Sequence, residues 1–209
     1  MTEPGNHPAP PGQKTTFLKM PCARLNPICH PPQGTGQGRE APPWLEKRRH
    51  ALQAFLAGLF IGVVLLVAHL VSQLSGEGPL HYAIVVSSIA ASTFLIFILP
   101  ELPTSWVSRL VCGHVISTIA GGVCYLFITT LGGGSGLWLV VSGFLAMWLA
   151  TYGMIKIGAP HPPAAATALG FGIAASWPKL AFIAAAVLLL ALAKCLFSRL
   201  PESLRKNIG

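Results

Sequence analysis

The sequence predicts an all-α protein, a polytopic transmembrane helix bundle of about five to six membrane segments with a broken, short helix after a His-Pro-Pro motif. Three observations carry that prediction. Hydrophobic residues make up 53% of the 209 and charged residues 10%, whereas soluble domains carry about 25% charged residues. The chain has no Asp, and Glu3, Glu40, Glu46, Glu77, Glu101 and Glu202 all fall outside the long apolar runs. Those runs come close to the roughly 20 residues that a spanning helix needs.

Residues 1–43 contain ten prolines and five glycines and no apolar periodicity. Such a segment buries too little surface to offset its ordering entropy, so it is read as a disordered cytoplasmic tail. It lacks the short apolar region of a signal peptide. Cys22, Cys29 and His30 lie in it at a spacing that matches no zinc pattern. The transmembrane domain is assigned to residues 44–209.

Within that domain the expected spans are Ala51–Gln73, Tyr82–Leu99, Trp106–Thr129, Leu137–Ile155 and Leu180–Phe197. Ala164–Ser176 is apolar too, but at 1.5 Å per residue it reaches only about 20 Å, against a hydrocarbon core of about 30 Å. Charge decides how to count it. If it crosses, every Lys and Arg from Lys47 onward falls on one side except Lys179. The positive-inside rule therefore favours six passes with both termini in the cytoplasm. Four full helices followed by a re-entrant piece and one more helix is the alternative. Cys112, Cys124 and Cys195 sit in apolar runs and read as small packing residues. The net charge of +8 reflects juxtamembrane anchors rather than a basic face interleaved with aromatics, which excludes nucleic acid as a partner.

The break reads Pro160-His161-Pro162-Pro163-Ala164-Ala165-Ala166-Thr167. Its prolines cannot continue a helix, and Pro163 suits the first turn of a new one. The first amides of that helix, at Ala164, Ala165 and Ala166, carry small side chains and form an expected anion site. Pro100-Glu101-Leu102-Pro103 repeats the pattern before the third span, with Thr104 or Ser105 as the expected cap. Paired interruptions on one side of a bundle point to a transport site. His114 shares a helix face with Ser117 and Gly121, and an ionisable group inside a span is costly unless it serves a purpose. Gly113, Ser117 and Gly121 form a small-residue row, as do Gly58 with Gly62 and Ser88 with Ser92. Arg109, one turn into the third span, would attract an anion to the cytoplasmic mouth.

At these residues the chain resembles the HPP family of integral membrane proteins. The stretch HPPAAATAL, His161–Leu169, is close to the family's HPPAGATAL, and Ser87–His114 supports it through Arg109 and Gly113-His114. Ser108-Arg109-Leu110 replaces the family's Pro-Arg-Asn. The likeness covers about residues 50–200. Members of the family are linked to nitrite transport, so the resemblance implies a transporter or channel for a small inorganic anion, with nitrite the best candidate. The expected substrate-binding residues are His161, Pro162, Pro163, Ala164, Thr167, His114, Arg109 and Ser92. No catalytic group, cofactor or metal is expected. A membrane enzyme using His161 and His114, or an accessory protein without a substrate, are the alternatives. The expected partners are the lipid bilayer of a bacterial inner membrane and the anion, with self-association left open.

Overall fold

The computed structural model of the protein describes residues 43–132 and 136–199. The Pro/Gly-rich tail, with Cys22 and Cys29, lies outside the described residues. Six helices follow one another: α1 Pro43–Ser75, α2 Ala83–Ile98, α3 Val107–Gly132, α4 Leu137–Lys156, α5 Pro162–Ile173 and α6 Trp177–Phe197. Short 3-10 turns at Pro79–Tyr82 and Pro103–Ser105 precede α2 and α3. No strand occurs among the described residues. Five helices, all but α5, are long and apolar enough to cross a membrane. Their outer faces expose large apolar side chains such as Phe55, Leu66, Phe127 and Phe144. In water such surface would be costly, and against lipid chains it is not.

Neighbouring contacts fix the direction of each helix. Glu77, in the α1–α2 connection, meets Ser176 at the start of α6. Lys194, near the end of α6, donates to the carbonyl of Pro100 beyond the end of α2 at 2.7 Å. Helices α2 and α6 therefore run parallel. Along α5, Thr167 faces Ser88 and Gly170 faces Val85, so α5 runs opposite to α2. Against α3 it is parallel, with Gly113 beside Ala164 and Gly121 beside Ala168 and Phe171. Hence α5 carries the chain toward the Glu77 face, and α6 returns it to the Pro100 face. The described chain starts and finishes on the same face, as the six-segment order requires.

At 12 residues α5 spans about 18 Å. Its first turn packs at the level of Ser88, mid-way along α2, so its N-terminus lies inside the bundle. Glycine and alanine make room for it. A Cβ on Gly121 would sit 2.6 Å from the carbonyl oxygen of Ala168, and one on Gly172 would sit 2.7 Å from the Cβ of Ala146. Helix backbones approach this closely only when their interface residues are small.

The stop of α4 is more local than the prolines suggest. Gly158 has φ +66°, Ala159 N donates to Met154 O at 3.0 Å and Gly158 N to Ile155 O at 3.1 Å. These are the two bonds of a Schellman cap, which needs a left-handed residue where glycine stands. The prolines then keep the chain from resuming a helix until Pro162. At the earlier break the Ser105 hydroxyl donates to the carbonyls of Pro100 and Leu102, each at 2.7 Å, and closes the connection on itself. Ser176 does cap α6, accepting from Lys179 N at 3.3 Å.

Two apolar clusters fill the bundle. One joins α1, α2 and α6 through residues such as Val64, Ile89 and Leu190. The other is alanine-rich and joins α3, α4 and α5. Cys124 belongs to the second as a buried free thiol. Cys112 and Cys195 are disulfide-bonded, so the small-packing reading holds for Cys124 and not for them.

Candidate functional site

A polar network occupies the seam where α2 meets α3 and α5. His161, the last residue before α5, has extended backbone, φ −134° and ψ 90°, and its side chain is completely buried. His161 Nδ1 lies 2.8 Å from the carbonyl oxygen of Thr104. A carbonyl only accepts, so His161 donates through Nδ1–H. The two proline-flanked breaks, distant in sequence, are therefore joined by one hydrogen bond. His161 Nε2 lies 2.9 Å from Ser92 Oγ, and Ser92 Oγ lies 3.2 Å from His114 Nε2. His114 Nδ1 reaches Thr167 Oγ1 at 2.9 Å. Thr167 Oγ1 reaches Ser88 Oγ at 2.7 Å, and Ser88 Oγ donates to the carbonyl of Pro163 at 2.6 Å. The imidazole centroids are 5.4 Å apart.

Local sequence explains each placement. Ser88 and Ser92 are one turn apart on α2, and Ser92 Oγ also lies 3.0 Å from Ser88 O. Gly113, beside His114, leaves the space that His161 fills. A Cβ there would meet the Cβ of His161 at 2.8 Å. Ser117, one turn below His114, is completely buried and its hydroxyl has no hydrogen-bond partner among the described residues.

Of the residues expected from sequence, His161, His114, Ser92 and Thr167 meet in this one network. Ala164 is completely buried, and Gly113 packs against it. Its amide is not free for an anion. Ala164 N donates to His161 O at 2.9 Å, and Pro162 and Pro163 have no amide hydrogen to offer. Of the three amides expected from the sequence, that of Ala164 is thus taken internally, and the polar side chains gather beside this N-terminus. Pro162 and Pro163 turn outward and, with Ala91, Phe94, Leu95 and Thr104, line an apolar groove of about 440 Å³. Arg109 stays outside the network, its guanidinium 5.2 Å from the Trp106 ring centroid. Lys194, expected as a juxtamembrane anchor, is instead buried on the Pro100 carbonyl.

Two participants were not singled out from the sequence as site residues. In the sequence Ser88 belongs to a small-residue row, and its i, i+4 spacing to Ser92 is the available signal. Thr104 takes part through its main chain, which no side-chain pattern reveals.

The family model described as HPP, transmembrane region, matches residues 46–207. The chain belongs to the HPP transmembrane family. Within this HPP protein the motif histidine is the one that ties the two breaks together. No curated protein and no solved structure matches the chain.

Elsewhere a second polar cluster closes the opposite face. Glu77 accepts from Tyr82 OH at 2.8 Å and from Ser176 Oγ at 3.2 Å. Lys179 Nζ donates to the carbonyl of Ala174. Burial raises the Glu77 pKa, but hydrogen bonds from Tyr82 and Ser176 and the charges of His81 and Lys179 outweigh it. The net shift is downward from 4.5.

Proposed function

We propose that this HPP protein transports a small inorganic anion, with nitrite the best candidate, and that the substrate binds at the histidine pair. The observation that carries the reading is the composition of the network. Two fully buried imidazoles are joined by the Ser88, Ser92 and Thr167 hydroxyls, and among the described residues no carboxylate touches them. A proton taken up there creates a positive charge inside an apolar bundle without a protein counter-ion. Unpaired charge at that depth is costly. A small monovalent anion supplies the missing partner, and the same hydroxyls and imidazole N–H groups supply its hydrogen bonds. Binding on a broken helix at mid-depth is the arrangement many transporters use.

An enzymatic reading has less behind it: Ser92 stands within hydrogen-bond reach of His161, but both are completely buried, and no acid among the described residues orients either ring. We place the protein in a bacterial inner membrane, with the Pro100 face and both termini in the cytoplasm, on the strength of the Lys and Arg distribution. The test is uptake by purified protein in proteoliposomes, with nitrite, nitrate, formate and bicarbonate offered singly. Protein-dependent flux of at least one of these anions is expected. Absence of flux for all of them would contradict the proposal.

A further inference from the structure

We propose that the network is a single-proton relay with two complete hydrogen-bond arrangements, so that each anion moves with one proton. The proposal rests on the transport reading above and adds its coupling. It follows from counting donors and acceptors.

In the neutral state His161 Nδ1–H is committed to Thr104 O, which leaves His161 Nε2 as an acceptor. Only Ser92 is placed to donate to it. Ser92 then accepts from His114 Nε2–H, which leaves His114 Nδ1 to accept from the Thr167 hydroxyl. Thr167 in turn accepts from Ser88, so in this state the Ser88 proton leaves the Pro163 carbonyl and the Ser92 proton leaves Ser88 O. Every donor points the same way, from Ser88 toward Thr104, and the two rings hold opposite tautomers.

Adding one proton reverses the chain without moving a heavy atom. Ser88 receives the incoming proton and passes its own to Thr167, and Thr167 passes its own to His114 Nδ1. His114 releases the Nε2 proton to Ser92, and Ser92 releases its proton to His161 Nε2. His161 is now the imidazolium, donating from both nitrogens to Thr104 O and Ser92. Each intervening bond runs backward, ending with Ser88 donating to Pro163 O at 2.6 Å. One proton has entered, and each relay residue has gained one and lost one except His161, which keeps it. A second proton would place two imidazolium rings 5.4 Å apart, with like charges opposing it.

Among the described residues, no other titratable group is in contact with the pair. From α2 come Ser88 and Ser92, from α5 Thr167, from the α2–α3 connection the Thr104 carbonyl, and from α4 Met154, beside Gly113. The nearby cations are engaged elsewhere, Arg109 over Trp106, Lys156 over Tyr152 and Lys194 on Pro100 O.

The test has two arms on the full chain. Nitrogen-15 spectra of the histidines in lipid nanodiscs, assigned by single substitutions, should show His161 as the Nδ1–H tautomer and His114 as the Nε2–H tautomer. Acidification should add one proton to the pair, and Thr167→Val should make the rings titrate independently. Identical tautomers, or independent titration in the unsubstituted protein, would overturn the relay. In proteoliposomes loaded with a pH dye, nitrate is the probe, because its acid is too strong to ferry protons through lipid. Nitrate and proton fluxes should match one to one. Nitrate flux without proton flux would overturn the coupling and leave transport intact. If no anion from the panel moves, transport fails and the spectra alone decide whether the relay exists.

Discussion

At the scale of single residues, the site depends on what is absent at Gly113 as much as on the histidines. A Cβ at that position would lie 2.8 Å from the Cβ of His161, closer than real contacts allow, so Gly113→Ala must displace the motif histidine. Overpacking of this kind costs about 1–3 kcal/mol. Thermal unfolding should move down for Gly113→Ala, while Gly122→Ala, with nothing within 4 Å, should leave it unchanged. Equal behaviour of the two variants would show that the seam relaxes freely. How much of the site was legible in the sequence also shows here. His161, His114, Ser92 and Thr167 stood out because buried polar groups in a span are costly and two of them lie in a distinctive motif. That Ser92 bridges the two rings was not legible, since it rests on contacts between residues 22 and 69 positions apart. Of the amides expected at Ala164, Ala165 and Ala166, the first is taken for a local reason. Prolines at the first two helical positions have no N–H to offer, and the His161 carbonyl takes the amide of Ala164.

At the scale of elements, length and composition sufficed for the helices, because spans of about 20 apolar residues have few alternatives in a bilayer. The five long spans fall within a few residues of where the apolar runs place them, and α5 is as short as its run implies. Where sequence reading erred was in the stop signals. The prolines at the second break drew attention away from Gly158, which ends α4 through its left-handed backbone. An alanine there adopts φ +66° only at a cost of roughly 1–2 kcal/mol. Gly158→Ala should therefore lower the melting temperature and also reduce flux, because the cap sets the approach of residues 159–161 to the site. An unchanged melting temperature would mean that the connection has another conformation of similar energy.

For the whole molecule, the described chain returns to its starting face, which our proposal puts in the cytoplasm on the positive-inside rule. Membrane-impermeant labelling of cysteines introduced at Glu101 and Gly76 tests this in intact cells. Position 101 should be protected and position 76 labelled, and the reverse pattern would invert the assignment. The Glu77 cluster locks the opposite face in a pH-dependent way. A carboxyl whose folded pKa lies below its ordinary 4.5 contributes stability that is fully present above that value. The contribution is lost as pH falls through 4.5 to the lower folded pKa. Unfolding midpoints followed from neutral pH into this window should fall for the unsubstituted protein and fall less for Glu77→Gln. Parallel curves would show that the cluster adds no pH-dependent stability. At the centre of the bundle two buried histidines meet beside the start of a half-length helix, and the account stands or falls on their role in transport. The most direct measurement is nitrite flux into proteoliposomes for the unsubstituted protein and for His161→Ala, with thermal stability recorded on the same preparations. The account predicts protein-dependent uptake that drops at least about tenfold in a folded His161→Ala variant, the scale of losing about 1.4 kcal/mol of a binding or transition-state interaction. Undiminished flux in that variant would contradict it.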